Sequence, residues 1–172
     1  VQTPHGDDVV EFQLLNVLEF TSARKRMSVV IRKVSEGPGQ DDHILLTKGA
    51  DNVIFERLAP SNDELKRQTD KHLEDFANEG LRTLCLAWKP LDEEVYEDWD
   101  RRYHEATTLI DNREEEIERV SDELERGLNL LGATAIEDKL QDGVPEAIAD
   151  LKRAGIKVGR ETDAFDSRSH SL

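Results

Sequence analysis

The sequence has one cysteine, Cys85, in 172 residues. A single thiol excludes an internal disulfide framework and a cysteine-based zinc site. Long hydrophobic runs are also missing: the longest, Leu84 to Trp88, is far short of the roughly 18 apolar residues that a membrane-spanning helix needs. We therefore expect a soluble segment that does not insert into a membrane. Because the only methionine is Met27 and the chain opens on Val1 without a signal peptide, we expect a piece of a larger protein.

Basic residues are scarce, since 23 Lys and Arg face 38 Asp and Glu for a net charge of -15. That balance argues against a general affinity for nucleic acids or anionic lipid surfaces. The acidity is concentrated in residues 92–126, where 15 acidic and 5 basic side chains leave a net of -10. Apolar residues in this stretch keep helical spacing, which predicts two amphipathic helices that part near Asp111 and Asn112 and carry a solvated acidic outer face.

What the sequence does contain is a regular alternation of apolar and polar residues near its start. Alternation over residues 10–20 predicts a strand, and the β-branched residues of 27–31 predict a second one. Turn residues at 36–39 precede a third short strand at 44–46. These three strands predict an antiparallel meander.

Further helices and strands are predicted from the spacing of apolar residues and from the glycine, proline and capping residues between them. We predict helices over 50–58, from Ser61 to the stop at Gly80, and from Asp142 to Gly155, and strands at 81–88, 128–136 and, in parallel, 156–158. Ser61 and Glu64 match a capping box. The fold class is therefore α+β, an antiparallel sheet flanked by helices with a short α/β stub. The predicted boundaries are 1–134, a hinge and stub over 135–158, and a disordered tail over 159–172.

A local concentration of positive charge is the first candidate site. The stretch from Phe20 to Val34 has no acidic residue and five basic ones, Arg24, Lys25, Arg26, Arg32 and Lys33. With Ser22 beside it, Phe20 can stack a purine while nearby cations meet phosphates. The alternatives are a solvated hairpin or a nuclear localisation patch.

Two further cations sit where secondary structure changes. Lys48 lies at a strand end before Gly49 and a helix, a position suited to anions. Taken alone, the tetrapeptide of residues 48–51 lacks phosphate-loop spacing and favours an ordinary strand-to-helix turn with an exposed lysine. Arg82 lies two residues after Gly80, at the start of a strand, and can make two hydrogen bonds to a phosphate or pair with a surface acid.

Cys85 lies in an apolar run and is predicted to be a buried, inert thiol. The histidines show no pair at zinc-site spacing.

Read in chain order, four motifs resemble one family. They are Leu18-Glu19-Phe20-Thr21-Ser22-Ala23-Arg24-Lys25-Arg26-Met27-Ser28-Val29, Lys48-Gly49-Ala50-Asp51, Glu79-Gly80-Leu81-Arg82-Thr83-Leu84 and Leu131-Gly132-Ala133-Thr134-Ala135-Ile136-Glu137-Asp138-Lys139-Leu140-Gln141-Asp142-Gly143-Val144. This series is similar to the nucleotide-binding domain of type IV P-type ATPases, the phospholipid flippases, and to its return into the phosphorylation domain. The resemblance covers about residues 9–158, nearly the whole chain.

The resemblance implies ATP as the ligand, accompanied by Mg²⁺ whose ligands are not in this chain. It implies that Phe20 stacks on adenine, Lys48 lines the nucleotide pocket, Arg82 reaches the phosphates and Ser22 adds a polar contact. Asp138 and Lys139 match the hinge between domains. The parent protein is implied to be an integral membrane enzyme with a phospholipid substrate and an accessory subunit, and this part of it is implied to lie on the cytosolic face.

The departures from the family are equally specific. The phosphorylated aspartate of an Asp-Lys-Thr-Gly-Thr motif is missing, and residues 159–164 stand where the family has an apolar strand and Thr-Gly-Asp-Lys. We therefore predict a chain that binds ATP without hydrolysis or transport. A truncated gene model, a frameshift or a splice variant would produce this ending. The alternatives are a non-catalytic fragment whose acidic helices bind a basic partner, or a decayed gene product without a stable fold.

Overall fold

The computed structural model describes residues 10–34, 43–137 and 142–158. The chain divides into two compact units, of which the first ends at Glu137 and the second begins at Asp138. The strands are β1 (Phe12–Leu18), β2 (Arg26–Lys33), β3 (His43–Gly49), β4 (Arg82–Leu91) and β5 (Asn129–Ile136). The helices are α1 (Asp51–Phe55), α2 (Asp63–Asn78), α3 (Glu93–Thr108), α4 (Arg113–Leu124) and α5 (Val144–Arg153), with a short 3-10 helix at Pro60–Asn62.

The five strands form one antiparallel sheet in the order β1-β2-β3-β4-β5, which is the chain order. The structure thereby confirms the predicted meander and the α+β class. Its register places Met27 opposite Lys48, and Lys48 opposite Leu86. Since strand residues alternate between faces, these three side chains share one face of the sheet.

Helices cover the other face of the sheet. Its strand residues are buried, and they join Ile54 of α1, Leu73 of α2, Trp99 of α3 and Val120 of α4 in one hydrophobic core. Trp99 is 1% exposed and donates its indole N–H to the carbonyl oxygen of Val120 at 2.8 Å. The predicted acidic helices α3 and α4 are therefore amphipathic as expected, and they are held together through this bond.

The start of α2 corrects one prediction. Asn62, not Ser61, occupies the N-cap, and its side chain makes no capping bond. Instead its amide oxygen accepts a bond from the backbone N–H of Leu130 at 2.8 Å, which ties the 3-10 turn to β5. The carboxylate of Glu64 accepts bonds from Arg67 and Gln68 rather than from the helix end. The predicted capping box was wrong because the 3-10 turn before α2 bonds to β5 instead of to the first turn of the helix.

The end of α2 agrees with the prediction at Gly80. Gly80 has a φ of 73°, a left-handed conformation that glycine adopts without steric cost. Its N–H donates to the carbonyl of Ala77 at 3.0 Å, and that of Leu81 donates to Phe76 at 3.0 Å. This pair of bonds is a Schellman motif, and it turns the chain directly into β4.

The second unit contains α5, which begins after Gly143 and has Pro145 in its first turn. Bonds from Gly155 to Lys152 and from Ile156 to Leu151 close its end. The predicted strand at 156–158 does not form, because these residues have no strand pairing in the part of the chain that the structure describes. The predicted hinge residues Asp138 and Lys139, and the predicted tail over 159–172, lie outside the described residues; the domain boundaries stay a prediction.

Within the described ranges, no helix is both long enough and apolar enough to span a bilayer.

Candidate functional site

The open face of the sheet carries a pocket of about 300 Å³. Its walls are apolar side chains from four adjacent strands, and its polar edge is a lysine: Met27, Val29, Leu46, Leu86, Leu131 and Lys48. An apolar pocket with a few polar groups at its margin is the usual form of a small-molecule site. The antiparallel register builds it, because residues that are distant in sequence stand side by side on one face.

Lys48 is the predicted residue that the pocket contains. It is exposed near the end of β3, one residue before a tight contact at Gly49. A Cβ atom on Gly49 would lie 2.7 Å from the carbonyl oxygen of Lys25 and 2.7 Å from the Cβ of Arg26. Only glycine allows this approach, so the end of β3 and the start of β2 meet directly beside Lys48.

Phe20 and Ser22 lie in the link between β1 and β2, which we call the 19–25 connection. Both are exposed, and Phe20 has 59% of its surface accessible to solvent. Lys25 ends the connection in a left-handed conformation with a φ of 51°. Its carbonyl accepts a bond from the N–H of Ala50 at 3.0 Å, which fixes the connection to the residues following β3.

Arg82 is the first residue of β4 and is exposed. Because alternate residues share a face, Arg82 lies on the same open face as Leu86. The pocket lining includes Lys48 but does not include Phe20, Ser22 or Arg82, all of which are described. The structure therefore places Arg82 on the face of the pocket and the 19–25 connection against the end of β3, while only Lys48 lines the pocket itself.

The predicted basic patch is corrected by the structure. Arg24 is 6% exposed and Arg26 is 3% exposed, so neither is part of a solvated patch or of a surface that could attract an anion. Both guanidinium groups turn to the covered face of the sheet, where they pair with acids of α4 and its C-terminal cap. Of the five basic residues of the predicted patch, two are therefore buried in the fold, and only Lys25, Arg32 and Lys33 lie outside this buried network.

Glu125 is the centre of this internal pairing and is fully buried. One carboxylate oxygen accepts bonds from Arg24 Nη2 at 2.5 Å and from the hydroxyl of Ser28 at 2.6 Å. The other accepts a bond from Arg26 Nε at 2.7 Å. The buried negative charge is thus compensated by two cations and by a third hydrogen bond, which a carboxylate removed from water requires.

Asp122 lies one helical turn before Glu125 and joins the same network. Its carboxylate pairs with Arg26 at 3.1 Å, with Arg57 at 2.7 Å, and with Arg126. Burial opposes ionisation of Asp122, but hydrogen bonds from Arg126 and Arg57 outweigh it and hold its pKa below the ordinary value. Asp122 therefore remains a carboxylate across the neutral and mildly acidic range.

Sequence reasoning missed Glu125 because it is one of many acids in residues 92–126. A signal was present, since the apolar positions Val120 and Leu124 set the buried side of α4, and Glu125 follows directly after that helix. The role of Lys25 as the residue that touches Gly49 was also missed. Only the positive φ and the close backbone approach reveal it.

Cys85 is fully buried in β4, as predicted. Burial, together with the charges of Asp51 and Asp70, raises the pKa of its thiol to about 11. The thiol is therefore protonated at neutral pH and is not a nucleophile there. The described residues contain no cluster of three or more His, Cys, Asp or Glu that could hold a metal ion.

Comparison with known proteins gives consistent likenesses. Residues 9–143 match the family model "P-type ATPase, cytoplasmic domain N". The chain is 53% identical over 148 residues to the phospholipid-transporting ATPase dnf2 of Schizosaccharomyces pombe, covering 86% of this chain and 10% of that protein. It is 51% identical to the phospholipid-transporting ATPase DRS2 of Saccharomyces cerevisiae over 86% of this chain and 11% of that protein.

A plant relative shows the same relationship. The chain is 50% identical over 149 residues to the probable phospholipid-transporting ATPase 4 of Arabidopsis thaliana, which corresponds to 86% of this chain and 12% of that protein. The chain thus spans about a tenth of the length of the curated relatives it matches.

Proposed function

Because the chain belongs to the P-type ATPase family, as the cytoplasmic domain N of the type IV branch, we propose that it binds ATP on the open face of its sheet. This membership confirms the resemblance carried by the four sequence motifs. The observation that supports the proposal most directly is the apolar pocket with Lys48 at its edge. An apolar cavity beside a cation offers one surface to a base and one charge to a phosphate.

The proposed contacts divide the nucleotide between the connection and the sheet. Phe20 stacks on adenine, an interaction that contributes about 1 to 3 kcal/mol, and Ser22 supplies a polar contact. Lys48 lines the nucleotide pocket, and Arg82 meets the phosphates with charge-assisted hydrogen bonds. The exposure of Phe20 and the position of Lys48 and Arg82 on one face support this arrangement. One stack and two solvated cations correspond to a dissociation constant of about 1 mM.

Mg²⁺ is proposed to accompany the nucleotide rather than to occupy a site of this chain. Phosphate oxygens are usual ligands of Mg²⁺, which retains several waters when it is bound. Its chemistry is to neutralise charge on the phosphates. The residues described here would act on the nucleotide itself, through stacking and phosphate contacts.

The whole protein's activity is a further part of the proposal. The 172 residues contain no Asp-Lys-Thr-Gly-Thr motif, so the chain alone is proposed to bind ATP without hydrolysing it or moving lipid. In the parent, an aspartate of a neighbouring domain is proposed to attack the γ-phosphate, which forms an aspartyl phosphate and releases ADP. That cycle is proposed to drive a phospholipid across the bilayer, with this domain on the cytosolic side and an accessory subunit as partner.

Nucleotide titration followed by NMR tests the binding proposal. The wild-type chain should show shifts around Phe20, Lys48 and Arg82 that saturate in the range of about 1 mM ATP. Phe20→Ala and Arg82→Ala should each weaken binding. Arg119→Ala is the matched control, because Arg119 lies on the outer side of α4 and pairs with Glu116. Unchanged wild-type spectra at millimolar ATP would contradict the proposal.

A further inference from the structure

We infer that Glu125 is a positioning residue, whose buried carboxylate holds the 19–25 connection in place against β3. The inference rests on the proposed function, because the connection carries Phe20. Glu125 itself lies on the covered face, so it acts through other side chains. Its contacts divide into one set that reaches the connection and one that reaches β3.

The first set of contacts fixes the connection at both of its ends. Arg24 donates from Nη2 to Glu125 and from Nη1 to the carbonyl oxygen of Glu19, the latter at 2.7 Å. Arg26 donates to Glu125 through Nε and to the carbonyl oxygen of Arg24 through Nη1 at 3.2 Å. One carboxylate therefore orients two guanidinium groups, which bond to the backbone of the connection on either side of Phe20.

The second set of contacts reaches the strand that carries Lys48. The hydroxyl of Ser28 bonds to Glu125 and lies 2.9 Å from the hydroxyl of Thr47. Ser28 and Thr47 are opposite one another in β2 and β3, and both are buried. The carboxylate thus connects the 19–25 connection, which carries Phe20, with Thr47, the neighbour of Lys48. The positions of Phe20 and Lys48 therefore both depend on the same buried group.

The bonds to Glu125 differ from a simple ion pair because they fix the orientation of their donors as well as attracting them. The three donors to Glu125 approach both of its oxygens, and charge-assisted bonds of this kind are short and set orientation as well as attraction. A guanidinium holds its donors in a rigid plane, so fixing Glu125 also fixes the plane of Arg24. The bond from Arg24 to Glu19 then defines where the connection begins.

Two variants of the full chain test this inference. Arg24→Met removes the bond to the carbonyl oxygen of Glu19 and the bond to Glu125 while keeping an unbranched apolar stem. Glu125→Gln keeps the shape of the carboxylate without its charge. The matched control is Arg57→Met, because Arg57 belongs to the same network through Asp122 but bonds to Val53 of α1 instead of the connection. All are first compared by thermal unfolding, so that the later readouts use folded protein.

Amide hydrogen exchange is the first readout and needs no nucleotide. The N–H groups of Arg24 and Lys25 are bonded to Thr21, at 3.1 Å and 2.8 Å, and report directly on the connection. In Arg24→Met and Glu125→Gln their exchange should rise about tenfold over the wild type through local opening. In Arg57→Met it should rise no more than the general loss of stability explains, as measured at core amides of β3.

ATP affinity is the second readout. Arg24→Met and Glu125→Gln should weaken binding about fivefold because an unfixed connection must be ordered on binding, whereas Arg57→Met should bind as the wild type does. Equal exchange in all three variants, or unchanged exchange in Arg24→Met, would overturn the inference. If Glu125→Gln does not fold, Arg24→Met and Ser28→Ala decide it. A wild type that shows no ATP-dependent shift overturns the proposed function, while the exchange rates still decide whether Glu125 holds the connection.

Discussion

On the covered face of the sheet, charged groups are buried and paired with one another, whereas on the open face they reach solvent beside an apolar pocket. The covered face holds Arg24, Arg26 and Glu125, each less than a tenth exposed. The open face holds Lys48, which pairs with Leu86 across β3 and β4, and Arg82 at the start of β4. Neighbours in sequence therefore have different tasks: Arg26 faces the core, while Met27 lines the pocket.

The difference teaches that proximity in sequence does not define an electrostatic site. In the basic run of residues 24–26, Arg24 and Arg26 are buried while Lys25 between them is exposed. Within β2, successive side chains point to opposite faces, so Arg26 stabilises the covered face and Met27 lines the open one. Substitutions on the two faces should therefore separate stability from binding.

The largest expected effect comes from breaking the covered face. Glu125→Ala leaves Arg24 and Arg26 buried without their carboxylate, which should lower the free energy of unfolding by about 3 to 5 kcal/mol. Urea unfolding followed by circular dichroism measures it. Glu123→Ala is the control at the end of α4, since that side chain is 40% exposed and its ion pairs are at the surface, so its effect should stay within about 1 kcal/mol. Equal losses in the two variants would remove the distinction between buried and exposed acids of α4.

A somewhat smaller effect is expected where the two faces meet, at Gly49. Gly49→Ala places a methyl group against the backbone of Lys25 and should destabilise the chain by about 1 to 3 kcal/mol. It should also shift the amide signals of the 19–25 connection, as measured by NMR. Ala50→Gly is the neighbouring control, because glycine is tolerated at the N-cap of α1. A stable Gly49→Ala variant with unchanged spectra would show that the contact can relax.

The open face should respond in binding and not in stability. Leu86→Trp fills the pocket and should weaken ATP binding about tenfold, or about 1.4 kcal/mol, with little change in the unfolding free energy. Leu84→Trp is the control, because Leu84 is 39% exposed on the same face and lies outside the pocket lining. Isothermal titration distinguishes them. Equal weakening by both would mean that this pocket is not part of the nucleotide site.

The smallest expected effect is the pH dependence at the edge of the covered network. The pKa of Asp122 is held below the ordinary aspartate value of about 3.9 in the folded chain. The unfolded chain then binds more protons at low pH, so the contribution of Asp122 is present above that value and is lost as pH falls through the folded pKa. The unfolding free energies of the wild type and Asp122→Asn should differ more at about pH 6 than at about pH 2, as measured by urea unfolding. A constant difference at both pH values would contradict it.

Much of the fold was predictable because its signals are local. The β-branched residues of β2 and the helical spacing around Trp99 identify their elements without distant information. Gly80 marks the end of α2 because its left-handed turn needs no partner elsewhere. The start of α2 was mispredicted at Ser61 because the side chain of Asn62 accepts a bond from Leu130 of β5. That partner lies 68 residues later in the sequence.

The candidate site was less predictable for the same reason. Lys48 is recognisable at the end of a strand, but the walls of its pocket come from four strands whose register no local pattern states. The basic run was misinterpreted because the partner of Arg24 lies 101 residues away. The roles of Phe20, Ser22 and Arg82 at the nucleotide stay predictions.

The separation between Arg24 and Glu125 also sets an order of events during synthesis. The meander of β1, β2 and β3 can pair as soon as it leaves the ribosome, since its strands are consecutive. Glu125 follows Arg24 by 101 residues, which at about 5 to 20 residues per second corresponds to a delay of about 5 to 20 s. During that interval two guanidinium groups lack their carboxylate, so we expect the nascent chain to be open to proteolysis around residues 19–25. Protection of this connection in ribosome-bound chains should begin only when α4 has emerged.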